Sequence, residues 1–139
     1  MTAEGQTLPG GSLLARYVSF VKLPHTLFAL PFALLGVLQA SLEAGVRWQT
    51  VAVVVVAFSA ARWVAMGFNR IVDRRFDASN PRTRQRELPR GALSLRQAWV
   101  SVLIAGTLFL ASSWFLNPLC FYLSPVALGW IMLYSLSKR

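Results

Sequence analysis

Residues 48–77 read WQTVAVVVVAFSAARWVAMGFNRIVDRRFD, and this stretch decides both how the chain is solvated and where its chemistry sits. From 48 to 68 the only ionisable side chain is Arg62. At about 1.5 Å per residue, a helix of that length crosses a hydrocarbon core of about 30 Å. From Asn69 the character changes to arginine, asparagine and aspartate, so the apolar run ends where a polar site begins.

Three further runs of similar length flank it, at 24–42, 97–116 and 118–136. With 55% apolar and 14% charged residues and a mean hydropathy of +0.52, the composition is too apolar for an ordinary soluble domain. The sequence therefore predicts an all-α integral membrane helix bundle of about four transmembrane helices, with 1–139 as a single membrane domain. Residues 1–22 form a lead-in and 69–96 a helix end followed by a basic loop. The lead-in stretch GSLLARYVSFVK suits either a short interfacial helix or a flexible segment. No removable signal peptide is expected, because no long apolar core precedes Leu27. Pro24 suits a first helical turn, and Pro31 and Pro125 fall within spans as kink sites. Ser94 with Gln97 forms a capping-box pattern, and Asn117-Pro118 a tight turn.

Charge sets the orientation. Arg16 and Lys22 precede the first span, and Arg70, Arg74, Arg75, Arg82, Arg84, Arg86, Arg90 and Arg96 lie between the second and third. Lys138 and Arg139 follow the fourth, whereas the opposite side carries Arg47, offset by Glu43. The positive-inside rule places both termini and the 69–96 loop in the cytoplasm, in a bacterial-type inner membrane. The net charge of +9 thus follows topology, which argues against a nucleic-acid partner. Cys120 sits in an apolar run and reads as an inert buried thiol.

Asn69, Asp73 and Asp77 are spaced by four, which keeps them on one helix face about 6 Å apart along the axis. Arg62, seven residues earlier, continues the stripe two turns deeper. On spacing alone, i,i+3 pairs Arg70–Asp73 and Arg74–Asp77 on a solvated helix end are the simpler account, worth a few tenths of a kcal/mol each. Arg62 within a span points further, since an ionisable group there is costly unless paired or facing a wet cavity. No zinc or EF-hand pattern is present. Two carboxylates and an amide among arginines suit a hard cation such as Mg²⁺, bound together with a diphosphate whose remaining charge the guanidiniums take up. His25, near the start of the first span, reads as an interfacial or capping residue, with proton acceptance as the alternative.

The segment ARWVAMGFNRIVDRRFDASNPRTRQRELPRGALS (61–94) resembles the first aspartate-rich region of the UbiA-type intramembrane aromatic prenyltransferases, N-x-x-x-D-x-x-x-D followed by a basic R-x-L-P-x-G-like loop. KLPHTLFALPFALLG (22–36) and LYSLSKR (133–139) resemble that family's first helix and the end of its fourth. The resemblance implies transfer of a prenyl chain from a polyprenyl diphosphate to an aromatic acceptor, of 4-hydroxybenzoate or naphthoate type, in quinone biosynthesis. It implies Mg²⁺ held by Asn69, Asp73 and Asp77, with Lys22, Arg62, Arg82, Tyr134 and Lys138 as groups near the phosphates or the acceptor. Members have about twice as many helices and a second aspartate-rich region, whereas no acidic residue follows Glu87 here. The N-terminal half is thus expected, completed by a C-terminal half or a second chain. The alternative is a non-catalytic module that binds prenyl diphosphate or anionic lipid through its basic loop.

Overall fold

The computed structural model describes residues 11–138. Among them are five helices and no strand: α1 (Leu13–Phe20), α2 (Leu23–Ala44), α3 (Trp48–Ser79), α4 (Leu95–Leu116) and α5 (Pro118–Ser137). The last four are long and apolar enough to cross a membrane. The expected all-α bundle is therefore what the chain forms.

Helix boundaries fall where local chemistry sets them. Ser12 caps α1 by accepting from the Ala15 amide at 3.3 Å. Between α1 and α2 the backbone turns through Lys22, whose φ of 49° is left-handed, and Pro24 then sits in the first turn of α2, where its missing N–H costs nothing. Gly45, with φ 73°, ends α2. Asn80 is extended at φ −98°, ψ 121°, as the residue before a proline prefers, and so α3 stops at Ser79. Ser94 and Gln97 form a reciprocal capping box at the start of α4, with bonds of 2.9 and 3.1 Å. Asn117 closes α4 and caps α5, accepting from the Leu119 amide at 2.8 Å.

The 32 residues of α3 extend about 48 Å, well beyond a hydrocarbon core of about 30 Å. Its last three turns, from Asn69 onward, therefore project past the apolar layer. α3 is also the central element, packed most extensively on α4 and touching α1, α2 and α5. The core joins Phe20 and Val21 to Val64, Ile71, Leu93, Ala98, Val102 and Ala105. Gly67 makes this approach possible: a Cβ there would lie 2.6 Å from Val102 Cγ2 and 3.2 Å from Phe20 Cε1. α1 is thus an ordered helix whose last residue, Phe20, is fully buried, so it is anchored to the bundle at the end where α3 projects. Cys120, by contrast, is exposed on α5, which corrects its expected burial. Large apolar side chains such as Phe28, Phe32, Leu42, Phe115 and Trp130 face outward, the pattern of a lipid-facing surface.

Candidate functional site

The stripe on the projecting end of α3 meets two other parts of the chain. The carboxylate of Asp73 lies 3.3 Å from Lys138 Nζ at the end of α5. One turn on, Arg86 Nη1 in the 80–93 loop donates to both carboxylate oxygens of Asp77, at 2.8 and 3.0 Å. Thr83 Oγ1 donates to the Asp77 carbonyl at 3.1 Å, which satisfies a backbone acceptor left over at the helix end. Beside Asp73 and Asp77 lies a hollow of about 380 Å³, also lined by Phe76, Asn80, Thr83 and Lys138.

A second charged group underlies this one. Glu87, 2% exposed, accepts from Ser19 Oγ of α1 and lies 3.6 Å from Arg70 Nη1 of α3. Arg16 Nη1 donates to the Ala92 carbonyl at 3.2 Å. The basic loop is therefore fastened to both α1 and α3 by buried charge, which fixes where Arg86 stands. The ion pairs join separate elements: Asp77 is taken by Arg86, Arg70 faces Glu87, and Arg74 Nη1 donates to the Ile71 carbonyl at 3.0 Å. Sequence spacing had suggested pairs within α3 itself. Glu87 and Ser19 were not singled out from sequence. The available signal was Glu87 as the sole acid among Arg84, Arg86 and Arg90, a setting that favours a buried pairing.

Two atoms of the stripe are buried with no hydrogen-bond partner, Asn69 Oδ1 and Arg62 Nε. Buried polar groups are nearly always satisfied, and Asn69 Oδ1 is an acceptor left open one turn from Asp73. Two carboxylates and one amide oxygen match the oxygen-only preference of a hard divalent ion. No cluster of three or more His, Cys, Asp or Glu occurs among the described residues, so any such ion must take its remaining ligands from water or substrate. Of the other expected site residues, Tyr134 lies one turn before Lys138 on α5 and is well exposed. Arg82 sits in the loop, its amide donating to Asn80 Oδ1 at 3.0 Å. Lys22 occupies the α1–α2 junction and is not among the residues lining the hollow.

Residues 29–139 match the profile of the UbiA prenyltransferase family. The chain is 37% identical over 73 residues to "Protoheme IX farnesyltransferase" of Shewanella denitrificans (51% of this chain, 24% of that protein). It is also 37% identical over 99 residues to "4-hydroxybenzoate octaprenyltransferase" of Alcanivorax borkumensis (69% of this chain, 34% of that protein). The apo structure of a UbiA homolog from Aeropyrum pernix K1 superposes with a TM-score of 0.77 at 35% identity, covering 84% of this chain and 42% of that one. The chain thus spans about a quarter to a third of the length of these curated relatives.

Proposed function

The chain belongs to the UbiA prenyltransferase family, and from that premise we propose that it supplies the diphosphate-binding wall of an enzyme transferring a prenyl chain from a polyprenyl diphosphate to an aromatic acceptor. The observation that carries this reading is that Asp73 and Asp77 line a hollow edged by Lys138, with the buried, unpartnered Asn69 Oδ1 one turn deeper on the same helix face, where α3 leaves the apolar layer. A prenyl diphosphate has the matching division, a polar head joined to an apolar tail.

Asn69 Oδ1, Asp73 and Asp77 would hold Mg²⁺, which supplies positive charge to the leaving diphosphate. Lys138 and Arg86, already beside these carboxylates, offer charge-assisted bonds to phosphate oxygens. Breaking the bond between the allylic carbon and the diphosphate oxygen leaves the electron pair on the diphosphate and positive charge on carbon. A ring carbon of the acceptor donates the pair that forms the new C–C bond, and a proton is then lost from that carbon. The bundle excludes water from the cation. Arg62, two turns deeper, and Tyr134 would serve acceptor contacts; Lys22, at the α1–α2 junction outside the hollow, and Arg82 would add positive charge around it. A 4-hydroxybenzoate or naphthoate type of acceptor, in quinone biosynthesis, is the reading favoured by the HTLFALPF stretch. Both termini and the 69–96 loop face the cytoplasm, as the positive-inside rule requires. The remainder of a longer polypeptide or a second chain closes the other wall.

The test is transfer of a labelled prenyl diphosphate in membranes containing the complete polypeptide, with 4-hydroxybenzoate, a naphthoate and haem as competing acceptors. Asp73→Asn should lower transfer by about 100-fold. Unchanged transfer in that variant overturns the site, and labelling of haem alone overturns the acceptor class.

A further inference from the structure

A second recess lies away from the aspartates. Between α1, α3 and α4 runs an apolar groove of about 590 Å³, walled by Leu14, Tyr17, Val56, Trp63, Ile104 and Leu108 among others. On α3 its residues run from Val55 to Trp63, about 12 Å along the axis and within the apolar stretch. At about 100° per residue, Ser59 and Trp63 lie roughly 80–120° around α3 from Asn69, so the groove opens on a different face from the diphosphate hollow.

The groove has one unmet polar demand. Trp63 Nε1 is buried with no hydrogen-bond partner, although its ring is held by Tyr17, with centroids 6.4 Å apart. A buried indole N–H normally finds an acceptor, and neither the apolar walls nor Ser59 and Ser101, which also line the groove, bond to it. At the cytoplasmic mouth the chemistry changes sign. Arg96 is exposed one turn before Val100 on the α4 face that carries Val100, Ile104 and Leu108. Arg16, on the helix that forms the rim, is fixed against the loop just before α4 through the Ala92 carbonyl. No acidic residue lines the groove.

An apolar slot inside the membrane, then a buried donor, then two guanidiniums at the surface: this order matches an acyl chain, its ester carbonyl and an anionic headgroup. We infer that the groove between α1, α3 and α4 is a binding site for one anionic phospholipid of the surrounding bilayer. One acyl chain lies along Val56, Ile104 and Leu108, an ester carbonyl accepts from Trp63 Nε1, and Arg96 and Arg16 face the headgroup. A polyprenyl tail fits less well, since it carries no acceptor along its length.

The experiment is native mass spectrometry of the complete polypeptide in mild detergent, mixed with phosphatidylglycerol or phosphatidylcholine of identical chains. One phosphatidylglycerol should be retained, about thirtyfold more strongly than phosphatidylcholine, the ratio expected of two arginines at about 1 kcal/mol each. Arg96→Gln should reduce that preference to about fivefold. Trp63→Phe should weaken retention of both lipids by about fivefold, the effect of one lost hydrogen bond. Ile104→Trp changes an exposed residue of the groove wall and spares the core, and it should displace the lipid by filling the groove. Equal retention of the two lipids overturns the inference. So does phosphatidylglycerol binding that survives Ile104→Trp, because the lipid then sits elsewhere, for instance on the 80–93 loop. Absence of any adduct overturns it as well, and points to another stretch of polypeptide covering the groove.

Discussion

Arg86 and Asp77, nine positions apart, meet through a single guanidinium nitrogen that reaches both carboxylate oxygens, at 2.8 and 3.0 Å. The bond ties the basic loop to the last turns of α3 and neutralises one of the two acids proposed to hold a metal. Anything that binds Asp77 must therefore compete with, or recruit, Arg86.

Arg86→Gln leaves the mostly buried Asp77 carboxylate without its cation. The cost should be about 1–3 kcal/mol, below that of a fully buried pair because the Arg86 side chain is 28% exposed. Thermal unfolding in detergent reads this directly. The double variant with Asp77→Asn should recover most of the loss, and a double variant as unstable as the sum of the singles would refute the pairing.

The same substitution has an opposite effect on cation binding. Freed from Arg86, Asp77 should bind Mn²⁺, used as a spectroscopic stand-in, about threefold or more tightly in the absence of diphosphate, since a competing positive charge is gone. Paramagnetic resonance of free Mn²⁺ measures it; weaker binding would place Asp77 outside the cation site.

Asp73 and Lys138 should divide their roles in catalysis. Asp73→Asn should lower kcat/KM by about 100-fold with kcat falling alike, whereas Lys138→Gln should act chiefly on the KM for the diphosphate, by about tenfold. A kcat collapse in Lys138→Gln with KM unchanged would reverse that assignment. Chelation of divalent cations by EDTA should abolish transfer, and Mg²⁺ should restore it.

Gly67→Ala tests the helix contact. The added methyl meets Val102 Cγ2 at 2.6 Å, a short, buried side chain with little room to turn, so the cost should be about 1–3 kcal/mol. Combining it with Val102→Ala should cost less than the two single changes added together, as judged by unfolding in detergent.

Glu87→Gln should loosen α1. With the charge gone, Arg70 loses its counter-ion, while an amide can still accept from Ser19, so α1 stays tethered but weakened. Faster amide exchange across Leu13–Phe20, with α4 and α5 unchanged, is the expected result; uniform exchange throughout would mean Glu87 supports the whole bundle.

The features that sequence revealed were those set by neighbours in the chain. Pro24, Asn80-Pro81, Ser94 with Gln97 and Asn117-Pro118 each mark a helix boundary in the structure, because capping and proline sterics act over a few residues. The four-residue spacing of Asn69, Asp73 and Asp77 was legible for the same reason. What stayed hidden depends on chain reversal. Nothing local says that Arg86 rather than Arg74 reaches Asp77, that Glu87 turns inward to Ser19, or that Phe20 enters the core from a helix too short for hydropathy to detect. Arg62 is an intermediate case: its depth was visible, but not that its Nε would be buried without a partner.

The overshoot of α3 has a physical consequence of its own. A helix is a stiff rod, and its apolar stretch from 48 to 68 fixes how high Asn69, Asp73 and Asp77 stand above the hydrocarbon. In a thicker bilayer the rod must straighten or sink, which lowers the acids into the headgroup layer; in a thinner one it tilts and carries them sideways. The length of the surrounding lipid chains thereby becomes a ruler for this chain, setting the depth of Asn69, Asp73 and Asp77 without changing a single residue.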